Sequence, residues 1–370
     1  MKLVVIKSHL KDAIGIVSGA SAENANLPVL KNILIEAKGG KITLAATNLE
    51  LALEYTILGK VLEPGRATIP AGMLAGIINN LQTERLNLEE KNNSLDIKTD
   101  NYHAALQGIS ADEFPLIPKV KNPKGALVIK ASFLRDALAQ VVFAAQPSEL
   151  RPELGSVLFV YTIDSLKLVA TDSFRLAEKT IPKQEFSSTQ KEEFRILVPL
   201  KTAQELIRAF RDDEDVTISH DESQISFSTQ TISLVSRLLD GRFPDYEAII
   251  PKKFSGEISV PKEEFISAIK LSGALGTRAG EIKIAIHENK KSIIISCVEQ
   301  GVGENTYALP ARVHGEIHEA SFNWRYLLDG ARAIAGEEAW IGIVDDNKPA
   351  LLKAPNNGGY FYVVMPILKA

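Results

Sequence analysis

The sequence predicts an α+β fold built from three copies of one domain. Three observations predict it. Short segments recur at fixed offsets, each copy opens with a strand leading into an amphipathic helix, and alternating strands surround a second helical run. His9-Leu10-Lys11-Asp12-Ala13-Ile14 returns as Phe133-Leu134-Arg135-Asp136-Ala137-Leu138, and Leu44-Ala45-Ala46-Thr47-Asn48 as Leu168-Val169-Ala170-Thr171-Asp172, both 124 residues on. Pro70 and Phe114 are matched by Pro199 and Phe243, both 129 residues on. The growth of the offset by five places a longer loop in the second copy, within Lys183 to Glu193.

The elements follow in order. Met1 to Lys7 reads as a strand, too short in its apolar run for a secretory signal. A helix follows, with Ser8 as its cap; Ser132 and Pro261 hold the same place in the later copies. In the second copy Phe133, Leu134, Ala137, Leu138 and Val141 share one helical face. Val216 to His220 and Ile225 to Ser228 alternate apolar and polar residues, as half-buried strands do. The third copy is carried by Val260 to Ile269, Ser292 to Ser296, Phe322 to Leu328 and Tyr362 to Pro366. Linkers rich in proline, glycine and charge, around Lys119 to Gly125 and Pro251 to Gly256, divide the chain into domains 1–121, 122–252 and 253–370.

Composition is that of an ordinary globular protein: 370 residues, 45% hydrophobic and 24% charged. No stretch approaches the ~20 apolar residues of a membrane span. The single cysteine, Cys297, sits in an apolar strand and reads as a buried, inert thiol. These features point to the cytoplasm. The net charge of −4 argues against a protein that is basic all over, but not against a basic inner surface.

Catalytic chemistry is not legible. There is no phosphate-binding GxxxxGK[ST] loop, and Gly301-Val302-Gly303 lacks the third glycine of a dinucleotide site. His314 and His318 are four apart, but Gly315 and the residues around them do not suit a metal-binding helix. The pairs Glu89-Glu90, Asp212-Asp213 and Asp345-Asp346 read as solvated turns. Thr47-Asn48 and Thr171-Asp172 read as turns whose side chains bond their own backbone, which explains why both copies keep the pattern. Neither a metal nor a cofactor is expected, and the chain reads as no enzyme.

Leu27-Pro28-Val29-Leu30-Lys31-Asn32, Ala170 to Ala177, Gly241-Arg242-Phe243-Pro244-Asp245-Tyr246, Phe322 to Leu327 and Tyr362 to Ile367 occur in an order and spacing that resemble the bacterial β sliding clamps, the processivity subunits of DNA polymerase III. The resemblance spans essentially the whole chain. It implies three clamp-type domains, with strands forming an outer layer and helices lining the inside of a closed dimeric ring around duplex DNA. Implied partners are a second copy, the replicative polymerase, a clamp loader and other proteins bearing clamp-binding motifs, with no membrane.

The resemblance also implies an apolar pocket for partner peptides, at Leu154, Thr171, Ser173, Phe174, Arg175, Leu176, Pro244, Ile249, Asn323, Tyr326, Val363, Val364, Met365, Pro366 and Ile367. Phe174 stands where the family often has histidine, Ser173 where it has glycine, and Lys369-Ala370 extend past the usual end. DNA contact is expected from Lys11, Arg135, Lys201, Arg208, Arg211, Lys270, Arg325 and Arg332, with Ser148 and Arg151 in a loop; near Asn24 the arginine of some relatives is missing. Leu106 and Leu275 are the apolar choices for the dimer seam. The competing reading is a repetitive β-rich scaffold or ligand-binding protein unrelated to DNA.

Overall fold

The computed structural model describes residues 1–22, 26–121, 123–148, 150–211, 214–275, 280–288, 290–316, 319–356 and 358–368. Asn24, Asp212, Asp213, His318, Lys369 and Ala370 therefore lie outside the described residues.

Each copy runs strand, helix, five strands, helix, three strands. The opening strands are Lys2–Ile6, Ala126–Lys130 and Gly256–Pro261. The helices are α1 (Lys7–Val17), α2 (Ala71–Asn80), α3 (Ala131–Ala139), α4 (Leu200–Ala209), α5 (Lys262–Gly273) and α6 (Trp324–Ala333). Helix ends differ from the sequence expectation. Ser8 and Ser132 lie inside the first turns of α1 and α3, and α1 is entered from Ile6 without a side-chain cap. Pro261 is the residue before α5, where its fixed φ suits the entry. The α6 cap is Asn323, whose side chain accepts from Arg325 N at 3.0 Å. On α3, Leu134, Ala137, Leu138 and Val141 are buried, but Phe133 is 43% exposed, so the apolar stripe is narrower than its spacing predicted.

Two compact units emerge: residues 1–132, 186–192 and 204–238, and residues 133–185, 193–203 and 239–370. They follow the sheets, not the repeats. In the first unit, Asn32–Lys38, Lys41–Thr47, Leu51–Ile57 and Gly65–Pro70 of the first copy join five strands of the second into one nine-stranded sheet. The seam pairs Leu53 with Leu234. In the second unit, Ser156–Tyr161, Ser165–Thr171, Arg175–Pro182 and Phe194–Pro199 join five strands of the third copy, with Leu176 paired to Val363. One further sheet in each unit is shorter. The first has five strands and ends in the free edge His103–Gln107; the second has four and ends in the free edge Gly303–Pro310.

Strand alternation sets what each face buries. Val363 joins Leu158, Val169, Leu176, Phe243 and Tyr246 in one apolar cluster. Its neighbour Tyr362 points the other way, where its hydroxyl donates to Tyr326 O of α6 at 2.9 Å and its ring lies against Gly330. Cys297 is buried, and burial raises its thiol pKa. Among the described residues, no helix is long and apolar enough to cross a membrane, and no group of three or more His, Cys, Asp and Glu is placed to hold a metal.

Candidate peptide-binding site

The site begins with a turn. Thr171 Oγ1 donates to Arg175 O at 2.7 Å, while Asp172 Oδ1 accepts from Phe174 N at 2.9 Å and Arg175 N at 3.0 Å. The first copy builds the same turn: Thr47 Oγ1 donates to Leu51 O at 2.9 Å, and Asn48 Oδ1 accepts from Glu50 N at 3.0 Å and Leu51 N at 2.7 Å. The turn forces its third residue into left-handed backbone, φ +79° at Ser173 and +76° at Leu49. Glycine would carry that φ at lower cost. At Ser173 the hydroxyl offsets part of the strain by accepting from Arg151 Nη1 at 3.1 Å.

The turn fixes the backbone of Phe174 and leaves its ring 61% exposed. Arg175 turns inward. It donates to Asp172 Oδ2 at 2.9 Å and Asp329 Oδ2 at 2.7 Å, and lies 4.4 Å from the ring centre of Tyr326. Burial works against its charge, but Tyr362, Asp329 and Asp172 outweigh burial and hold its pKa above the ordinary arginine value. The C-terminal segment leaves its strand beside this turn. Met365 N donates to Phe174 O and Ile367 N to Ser321 O, each at 2.8 Å.

A second wall comes from residues 241–250. Phe243 and Tyr246 are buried and meet edge to face, 6.1 Å between ring centres. The Tyr246 hydroxyl donates to Glu178 Oε2 at 2.8 Å, and Lys167 Nζ lies 3.4 Å from Glu178 Oε1. Burial, then the Glu178 charge, raises the Tyr246 pKa, so the phenol keeps its proton as a donor. This bond pins the segment to the sheet and leaves Ile249 46% exposed, with Pro244 half-buried.

All fifteen predicted pocket residues fall in the second compact unit. Phe174, Ile249, Met365, Ile367, Tyr326 and Pro244 offer accessible surface. Leu154, Leu176, Val363 and Val364 are no more than 5% exposed; Leu176 and Val363 share the face of the apolar cluster, and Val364, next in the strand, lies on the opposite face with Tyr362. Sequence reasoning missed Asp329, Glu178 and Tyr362. A signal existed for Glu178: it stands two residues from Leu176 in a strand, so it shares the inward face as a charge among apolar residues.

The expected DNA contacts are less uniform. Lys11, Lys270 and Arg332 are exposed on α1, α5 and α6, and Arg325 covers the Trp324 ring at 4.7 Å. Arg135 is half-buried on α3 and Lys201 exposed on α4. Arg208 is already engaged: it donates to Gly15 O and Ile16 O at the end of α1 and pairs with the buried Glu205. Arg211 bonds Asp12 at 3.0 Å. Ser148 accepts from Arg151 N at 3.1 Å, and Arg151 is held by Glu153 and Ser173, beside the peptide-site turn.

Three repeated sheet-and-helix domains whose sheets run across the repeat boundaries define a protein of the clamp type. Three family profiles match in chain order: the N-terminal domain of the DNA polymerase III beta subunit over residues 1–118, the central domain over 128–245 and the C-terminal domain over 247–368. The beta sliding clamp of Synechococcus elongatus is 30% identical over 374 residues, covering 99% of both chains. The DNA polymerase sliding clamp of Bacillus subtilis superposes with a TM-score of 0.94 at 26% identity, and the DNA polymerase III beta subunit of Thermotoga maritima with 0.92 at 26%, each covering all of both chains. The chain belongs to the DNA polymerase III beta subunit family, the beta sliding clamps. These comparisons do not favour the scaffold reading.

Proposed function

We propose that two copies of this chain close head to tail into a ring that encircles duplex DNA and tethers a replicative polymerase for processive synthesis. The observation that carries this reading is the sheet arithmetic. Each nine-stranded sheet joins four strands of one copy to five of the next, and the two end sheets supply five and four strands. Within the chain, the seam always pairs the fourth strand of one copy with the last strand of the next. The fourth strand of the third copy is the free edge Gly303–Pro310, and the last strand of the first copy is the free edge His103–Gln107. Pairing these edges across two chains, twice, completes two more nine-stranded sheets and leaves neither edge exposed. Leu106 is on the first edge, and Leu275 sits near Gly303 of the second.

The three repeats, 1–121, 122–252 and 253–370, then become six similar units around the hole. Lys11, Arg135, Ser148, Arg151, Lys201, Arg211, Lys270, Arg325 and Arg332 are the proposed DNA-facing set, while Arg208 is already committed to the end of α1 and to Glu205. Contact with phosphates carries no sequence information, which suits sliding. The peptide site receives the polymerase, the clamp loader and other partners through Leu154, Thr171, Ser173–Leu176, Pro244, Ile249, Asn323, Tyr326 and Val363–Ile367. The ring performs no chemistry of its own and acts in the cytoplasm.

The test is sedimentation together with retention on nicked circular DNA after loading by the matching clamp loader. A dimer of 40.4 kDa chains that stays on circles and runs off once they are linearised is expected. A monomer, or retention indifferent to DNA ends, overturns the ring.

A further inference from the structure

We propose that a cationic recess adjoining the peptide site reads acidic residues that flank a docked peptide. This rests on the peptide-site reading above and adds a charge preference to it. The recess has a volume of about 480 Å³ and is floored by Leu158, Leu197 and Phe243. Pro244, one of the peptide-site residues, forms part of its wall, so an occupant of the site that extends past Pro244 enters this recess.

Arg195 and Arg242 line it as well, from two different elements. Arg195 is on the edge strand Phe194–Pro199, and Arg242 is in the segment that Tyr246 pins to the same sheet. Both are exposed, and neither side chain makes a hydrogen bond or ion pair with any described residue. Arg208 and Arg175, by contrast, are committed to carboxylates and carbonyls. Asp245 is the acidic residue in the lining, so cations outnumber anions two to one. Gly241, at φ +139°, lets the chain cross near Leu197 and sets Arg242 over the recess. Two free guanidiniums above an apolar floor, continuous with a peptide site, complement a carboxylate-bearing flank. Arginine also favours paired recognition of carboxylates by its planar geometry.

The test uses two fluorescein-labelled peptides with the same apolar core. One is flanked by glutamates, the other by glutamines, and both are titrated into the full chain by fluorescence anisotropy at low salt. The glutamate peptide is expected to bind about fivefold tighter, the preference fading at 1 M salt. In the Arg195→Gln, Arg242→Gln double variant the preference should vanish and the glutamine peptide should bind as before. Equal binding of both peptides to the wild-type chain, or a preference that survives in the double variant, overturns the recess alone. Failure of both peptides to bind overturns the peptide site and the recess with it.

Discussion

Arg175 and Asp329 are 154 residues apart in the chain and meet at 2.7 Å. The pair ties the peptide-site turn to α6, because the same guanidinium also holds Asp172. The Asp172 side chain is only 2% exposed, and Arg175 is the cation that bonds it. Arg175→Ala should therefore destabilise the chain by about 2–4 kcal/mol, because it strips a buried carboxylate of the cation that bonds its Oδ2 and leaves Oδ1 to the backbone donors Phe174 N and Arg175 N. Asp329→Asn, at a side chain 34% exposed, should cost about 1 kcal/mol or less. Arg175→Lys should fall between them, since an ammonium cannot span both carboxylates with the same geometry. Urea denaturation checks the order; an Asp329→Asn variant as damaged as Arg175→Ala contradicts it.

The proposed peptide site has both accessible and buried members. Met365 is half-buried and its backbone N donates to Phe174 O, a bond that a substitution leaves in place, so Met365→Asp should abolish peptide binding and leave folding and dimerisation intact. Leu176 is 1% exposed within the apolar cluster. Leu176→Asp should cost several kcal/mol and lower the melting temperature before any binding question arises. Anisotropy with a fluorescent peptide and a thermal melt distinguish the two variants. Loss of the dimer in Met365→Asp would mean that the pocket is misplaced.

Much of this was legible in the sequence for a physical reason. The turns at Thr47-Asn48 and Thr171-Asp172 are local: side chains bond backbone two to four residues away, so the same residues recur wherever the same turn does. Burial alternation in Val216 to His220 is likewise local. The failures are non-local. Nothing near Arg208 announced that it would meet carbonyls 192 and 193 residues away, so it read as one more free cation on a helix. Tyr246 and Glu178, 68 residues apart, gave no joint signal. Phe133 kept helical spacing yet faces outward, where it lines a recess with Phe143 and Lys179. Sheets that cross repeat boundaries are also invisible to a repeat search, because their seams pair strands of different copies.

The dimer seam yields a third prediction. Leu106 and Leu275 are each partly exposed in the single chain. If the free edges pair across two copies, a carboxylate at either leucine is desolvated without a partner. Leu275→Asp should shift the sedimenting species from two chains to one chain of 40.4 kDa, with far-UV circular dichroism unchanged. Leu106→Asp should do the same. A dimer that tolerates both changes places the seam elsewhere.

The helix cations can be sorted by what already holds them. Arg332 is exposed on α6, with no hydrogen bond or ion pair to a described residue, and so is available to a phosphate. Arg332→Gln should leave the melting temperature unchanged and reduce the slope of log affinity against log salt, on linear duplex DNA, by about 0.9 per lost phosphate contact. Arg208→Gln should behave in the opposite way. It removes the donor to Gly15 O and Ile16 O and a cationic partner of Glu205, whose side chain is 5% exposed. The expected cost is about 1–3 kcal/mol in stability, with little change in the salt slope. Titrations from low to moderate salt, paired with urea denaturation of each variant, separate the two roles. If Arg208→Gln flattens the salt dependence as much as Arg332→Gln and melts like the wild type, then its contacts with α1 give way to DNA, and Arg208 belongs with the phosphate-binding set after all.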